Sequence, residues 1–170
     1  SGQFEDISLQ QGIRQILYPY EEMEVLNPEW EVILKDIIDS LFEQMSDEEY
    51  NILNEEFGTY MVSRVYEYRQ LLEYLVFRYF AKSIYDYDFL GKCQMLVTNF
   101  FVIRQMDIIR WLDNHREYSF KDRMDVVHIF SRQVEYSEDN IENLYEDFIF
   151  DDIFKTDSLI AILWIDSENI

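Results

Sequence analysis

FLGKCQMLVTNFFVIRQMDIIRWLDN, residues 89–114, is the stretch on which the fold turns. Met95, Leu96, Phe100, Ile103, Met106, Ile109 and Trp111 recur at helical spacing, which predicts a long helix from Phe89 to Asn114. Its apolar run Leu96–Ile103 carries Thr98 and Asn99 and ends at Arg104. A membrane span needs roughly 20 predominantly apolar residues, so this segment packs inside a protein. Immediately upstream, Asp86-Tyr87-Asp88 reads as a turn and cap. Before it, Thr59 to Tyr85 contains no Pro or Gly and repeats Met61, Val62, Val65, Tyr68, Leu72, Leu75, Val76, Tyr79 and Phe80, predicting a second long helix.

Working outward, Leu9, Ile13, Ile16 and Leu17 form one stripe of a first helix, which Pro19 is expected to stop. Asn27-Pro28 is a cap followed by a proline at the first helical position. Ser46-Asp47-Glu48-Glu49 is a capping box that opens a helix expected to end at Gly58. Downstream, Ser119 with Asp122, and then Ser137, cap two further helices. The run Leu159–Ile165, within the tail Thr156–Ile165, fits a last helix or a buried strand equally well. The sum is an all-α, single-domain helical bundle of about six to eight helices over residues 1–170.

Composition narrows the function. The 170 residues hold 14 Lys plus Arg and 35 Asp plus Glu, a formal charge of −21. Nucleic acid and anionic membrane surfaces are therefore not expected partners, because both need surplus basic charge. The charge is uneven: −13 over residues 1–60, +1 over 61–118 and −9 over 119–170. One cysteine, Cys93, allows no internal disulfide and no cysteine cluster for a metal. With no export signal in these residues either, a cytoplasmic location is expected. Ser1-Gly2 reads as a cloning scar, so the chain is expected to be a portion of something longer.

No familiar catalytic pattern is present. His115 and His128 lie outside any His-Glu-x-x-His or Glu-x-x-His arrangement, so no metal ligand is assigned. Four glycines supply no phosphate-cradling or nucleophile-elbow motif, and no catalytic residue is assigned. The informative positions are polar residues embedded in apolar helices: Tyr74, Arg78, Arg104 and Arg110, with Glu135 and Asn140 as candidate partners. Arginine taken out of water needs a carboxylate or carbonyl. These six residues form either a buried network that fixes helix register or a pocket that receives an anionic group. Trp30, Trp111 and Trp164 are expected in the core.

Three stretches carry a family resemblance: LEYLVFRY (72–79), VIRQMDIIRWLDN (102–114) and SRQVEYSEDNIENLYEDFIFDDIF (131–154). Together they resemble the C-terminal helical region of the flagellin lysine N-methylase family, most strongly over residues 64–154. The most distinctive piece is similar to a family pattern Ser-Arg-x-x-Glu-(His or Tyr)-Ser-x-x-Asn, met by Ser131, Arg132, Glu135, Tyr136, Ser137 and Asn140. Tyr136 stands where many relatives carry His. The resemblance implies an N-terminal cysteine-rich cluster that binds a metal centre, and methyl transfer from S-adenosylmethionine to flagellin lysines. Neither cofactor is expected in this chain, which would then be inactive alone as a protein-lysine N-methyltransferase. Its partner would be flagellin or another lysine-bearing protein. The alternative is a stand-alone acidic helical interaction module that binds a basic protein.

Overall fold

The helix over Phe89–Asp113 (α5) is buried on every side along its middle: Phe101 to Ile109 are all buried. A helix with no solvent face must be surrounded. In the computed structural model, which describes residues 7–81 and 88–168, it is the axis of an all-α bundle. The helices around it are α1 (Leu9–Glu21), α2 (Pro28–Ile37), α4 (Val65–Phe80), α6 (Phe120–Phe130), α7 (Glu138–Phe150) and α8 (Thr156–Glu168). The remaining helix, α3 (Asp47–Met61), packs on α1 and reaches α5 through Phe57 and Trp111, whose ring centroids are 5.4 Å apart. Trp30, Tyr20, Phe130 and Phe154 fill the rest of the centre. Each such ring contributes roughly 1.5–3 kcal/mol by leaving water.

Local chemistry sets the helix starts. Asn27 accepts from the Glu29 amide at 3.2 Å with Pro28 at the first helical position. Ser46 with Glu49, and Ser119 with Asp122, each form both bonds of a capping box. Asp88 accepts from the Gly91 amide at 3.0 Å. A Cβ on Gly91 would lie 2.3 Å from that capping carboxylate, so the cap needs glycine there. Asp86, Tyr87 and the end of the predicted helix at residues 82–85 lie outside the described residues, as do Ser1 and Gly2.

Five expectations need correction or completion. Pro19 does not stop α1, which runs two residues further to Glu21. The proline sits in the last turn, where its missing N–H costs one bond and few residues follow. Gly58 is likewise passed, buried inside α3. The helix expected from Thr59 is broken by a 3-10 turn at Val62–Arg64, where Arg64 leaves helical geometry (φ −119°, ψ 17°). Trp164 is not in the core but 66% exposed. The ambiguous tail is helix α8. Two segments show no sequence signal: π-helical turns at Ile38–Glu43, continuing α2, and at Ser131–Glu135, continuing α6. Among the described residues, no helix is long and apolar enough to cross a membrane.

Candidate functional site

The second π-helical turn is built from the first half of the distinctive sequence pattern. It takes in one more residue per turn than an α-helix, and such bulges are frequent at functional sites. Gln133, Val134 and Glu135 are consecutive and all buried. Glu135 points to α4. Its Oε2 accepts from the Tyr74 hydroxyl at 2.6 Å and the Ser131 hydroxyl at 2.7 Å. Its Oε1 accepts from the Tyr79 hydroxyl at 3.0 Å. Arg78 donates to the Glu135 backbone carbonyl at 3.1 Å, not to its carboxylate. The chain of bonds continues inward: Asn99 donates to the Tyr79 oxygen at 2.7 Å, and Tyr20 donates to Asn99 at 2.6 Å. Burial and the bond to Glu135 push the Tyr74 phenol up to about 12, and burial pushes Tyr79 higher still. Both remain donors at neutral pH.

Gln133 of the same turn and the second half of the pattern anchor the loop before α2. Gln133 accepts from the amides of Leu26 and Asn27 at 2.9 and 3.1 Å and donates to the Glu24 carbonyl at 2.6 Å. Asn140 donates to the carbonyls of Gln133 and Glu24 at 3.0 and 3.2 Å. Ser137 caps α7 by accepting from the Asn140 amide at 3.1 Å. The pattern thus encodes a joint between α4, α6, α7 and the loop entering α2.

Arg104 belongs to a different assembly. It donates to Asn54 at 2.9 Å and lies 3.9 Å from Asp166, which itself accepts from Asn54 at 2.8 Å. Its partners are therefore on α3 and α8, not Glu135 or Asn140. Because Arg104 is only 4% exposed, Arg104→Leu strands Asp166 beside an amide alone. Expected is a loss of about 2–3 kcal/mol, read as a lower thermal midpoint. An unchanged midpoint would show that the arginine is not holding α3, α5 and α8 together.

A third assembly was not anticipated. Asp107, wholly buried on α5, accepts from the Tyr68 hydroxyl at 2.8 Å, from Arg123 at 2.5 Å and from the Tyr118 hydroxyl. Arg123 also lies 3.5 Å from Glu67 and sits 4.4 Å from the centre of the Tyr68 ring. Glu67 is held from its other side by Arg64 at 2.7 Å. A carboxylate in the middle of an all-round apolar helix was the available signal for Asp107. Arg110 joins none of these networks; with Arg132 and His128 it lines a cleft between α2, α5 and α6.

A family model described as the FliB lysine N-methylase C-terminal domain matches residues 3–162. The chain belongs to that family. The match takes in α1 to α3 as well as the stretches that carried the resemblance. No curated protein and no solved structure matches the chain.

The six polar candidates of this FliB domain divide in the fold. Tyr74, Arg78 and Glu135 meet at the π-helical turn, Asn140 sits on its far side, and Arg104 and Arg110 are in separate places. Among the described residues of the FliB domain, no three His, Cys, Asp or Glu side chains converge to hold an ion. The buried carboxylates are instead taken up by hydroxyls and arginines.

Proposed function

We propose that this domain supports lysine N-methylation by recruiting the lysine-bearing protein substrate, flagellin in the terms of the resemblance, while methyl transfer is carried out by other parts of the enzyme. Membership of the lysine N-methylase family carries the reading. The charge distribution supports the recruiting role. Glu21, Glu22, Glu31, Asp36, Glu43, Glu48 and Glu55 are exposed around α1 to α3, helices that themselves carry only Arg14 and Lys35 as basic residues. Such a field accelerates encounter with ammonium groups. It also favours the protonated lysine, whereas methyl transfer requires the neutral amine. The acidic face therefore suits capture and not activation.

The test is binding of purified flagellin to the isolated chain at about 50 and 500 mM salt, across which the Debye length shrinks severalfold. Affinity is expected to fall at least tenfold at the higher salt. The quadruple variant Glu31→Gln, Asp36→Asn, Glu43→Gln, Glu48→Gln should show a slower association rate with an unchanged thermal midpoint. Absent binding, or binding indifferent to salt and to these substitutions, would overturn recruitment by charge. Methylation of flagellin by the chain alone would overturn the division of labour.

A further inference from the structure

The sequence contains nine arginines among 35 acidic residues. Seven are engaged. Arg14, Arg64, Arg69 and Arg116 pair with Glu21, Glu67, Glu73 and Glu56, and Arg123 pairs with Asp107. Arg78 bonds the Glu135 carbonyl and Arg104 bonds Asn54. The other two, Arg110 and Arg132, form no hydrogen bond or ion pair with any described residue, and both line the same cleft of about 580 Å³. His128, one helical turn before Arg132, lines it too. In a chain with this surplus of acid, two arginines without a described partner lining one concavity is the exception that needs a cause.

The acids nearby do not supply it. Asp122 feels the Arg110 charge, but its oxygens are taken by the Asn114 amide group at 2.9 Å, the Ser119 backbone amide at 2.8 Å and the Ser119 hydroxyl. Glu29 and Asp125 share the cleft, yet neither comes within ion-pair distance of Arg110, Arg132 or His128. Val32, Ile33 and Ile129 add apolar surface to the cleft.

We infer that this cleft binds a small organic oxyanion, with Arg110 and Arg132 on the anionic group and its apolar body against Ile33 and Ile129. Paired guanidinium forks match the oxygens of phosphate or carboxylate. A cleft of this size suits a small molecule. Glu29 and Asp125 reject anions that extend charge beyond the arginine end. The π-helical turn that begins at Ser131 carries Arg132, and thereby links the cleft to the Glu135 joint.

The experiment titrates the intact chain with phenyl phosphate, benzoate and inorganic phosphate at constant ionic strength, by calorimetry and by the rise in thermal midpoint. Saturable binding of phenyl phosphate or benzoate is expected, tighter than inorganic phosphate because only the organic anions use the apolar wall. The preferred organic anion identifies the group. Arg110→Gln and Arg132→Gln should each weaken binding tenfold or more, the factor expected for a charge-assisted hydrogen bond. Arg69→Gln, remote from the cleft, should leave binding unchanged. Because neither cleft arginine has a hydrogen-bond or ion-pair partner among the described residues, both variants should keep the parental midpoint without ligand. No saturable binding up to about 10 mM, or equal weakening by Arg69→Gln, would overturn the site. A large loss of midpoint in the unliganded Arg110→Gln and Arg132→Gln proteins would assign the arginines to the fold instead.

Discussion

Arg123→Leu is expected to be the most destabilising single substitution in the bundle, by about 3–5 kcal/mol, the range for removing one partner of a buried ion pair. For a chain of this size that lowers the thermal midpoint by roughly 6–20 °C. The reason is asymmetry. Arg123 serves two buried carboxylates, Asp107 at 2.5 Å and Glu67 at 3.5 Å. Glu67 keeps Arg64 when Arg123 is lost, but Asp107 retains only the hydroxyls of Tyr68 and Tyr118. Burial already pushes the Asp107 carboxyl up from its ordinary value, against the opposing pull of Arg123. Without the arginine it moves further up. A carboxyl that holds its proton more tightly when folded stabilises the fold below its unfolded pKa, near 3.9, and loses that contribution as pH rises through the folded value. The deficit of the variant relative to the parent is therefore expected to be smaller at pH 5 than at pH 8. Denaturant unfolding at both pH values measures it. The double variant Arg123→Leu, Asp107→Leu should recover at least about 1 kcal/mol of the single loss, since two apolar groups replace an orphaned charge. Additive losses, or a deficit independent of pH, would remove the charge account.

What the sequence discloses and what it withholds follow the range of each interaction. The caps at Asn27, Ser46, Ser119 and Ser137 act within three residues, so each is readable in place and each is present. The central helix is readable because its apolar residues cover every side. Arg104 is conspicuous for the same reason, but Asn54 and Asp166 are 50 and 62 positions away, and no local pattern pairs them. Arg123 is missed because it looks like an ordinary charge on a short amphipathic helix; only the packing of α6 against α5 brings it to Asp107. The π-helical turn is the hardest feature to anticipate. It depends on one extra residue between two packed helices, and Ser131–Glu135 has no composition that marks it. Tyr74, Arg78 and Glu135 could be proposed as neighbours, but Tyr79 reads as an apolar-stripe residue of α4 and Asn99 as an interruption of α5. Their common bond lies between helices and not within either.

Glu135→Ala is expected to lower stability by about 3 kcal/mol, because it strips the acceptor from three hydroxyls at once. The losses are unequal. Tyr74 is 39% exposed and can turn to water, whereas Tyr79 is 8% exposed and has only Asn99, which donates to it. The buried Tyr79 hydroxyl therefore carries most of the cost. Glu135→Gln should cost about 1 kcal/mol or less. Its amide oxygen still accepts from one hydroxyl, and the others can rotate to accept from the amide N–H groups. A similar loss from Gln and Ala would mean that the negative charge, not the bond count, holds the joint. Tyr79→Phe tests the relay from the other end, leaving Asn99 without an acceptor. The Glu135→Ala, Tyr79→Phe cycle should show a coupling of roughly 0.5–3 kcal/mol. Near-zero coupling would mean that the bonds of this chain act singly. Hydrogen exchange adds a spatial check. Glu135→Ala should speed amide exchange across residues 131–135, and at Leu26 and Asn27, whose amides rest on Gln133 two positions away. Protection lost throughout the bundle to the same degree would show global unfolding alone, and the π-helical turn would then not be a separate joint.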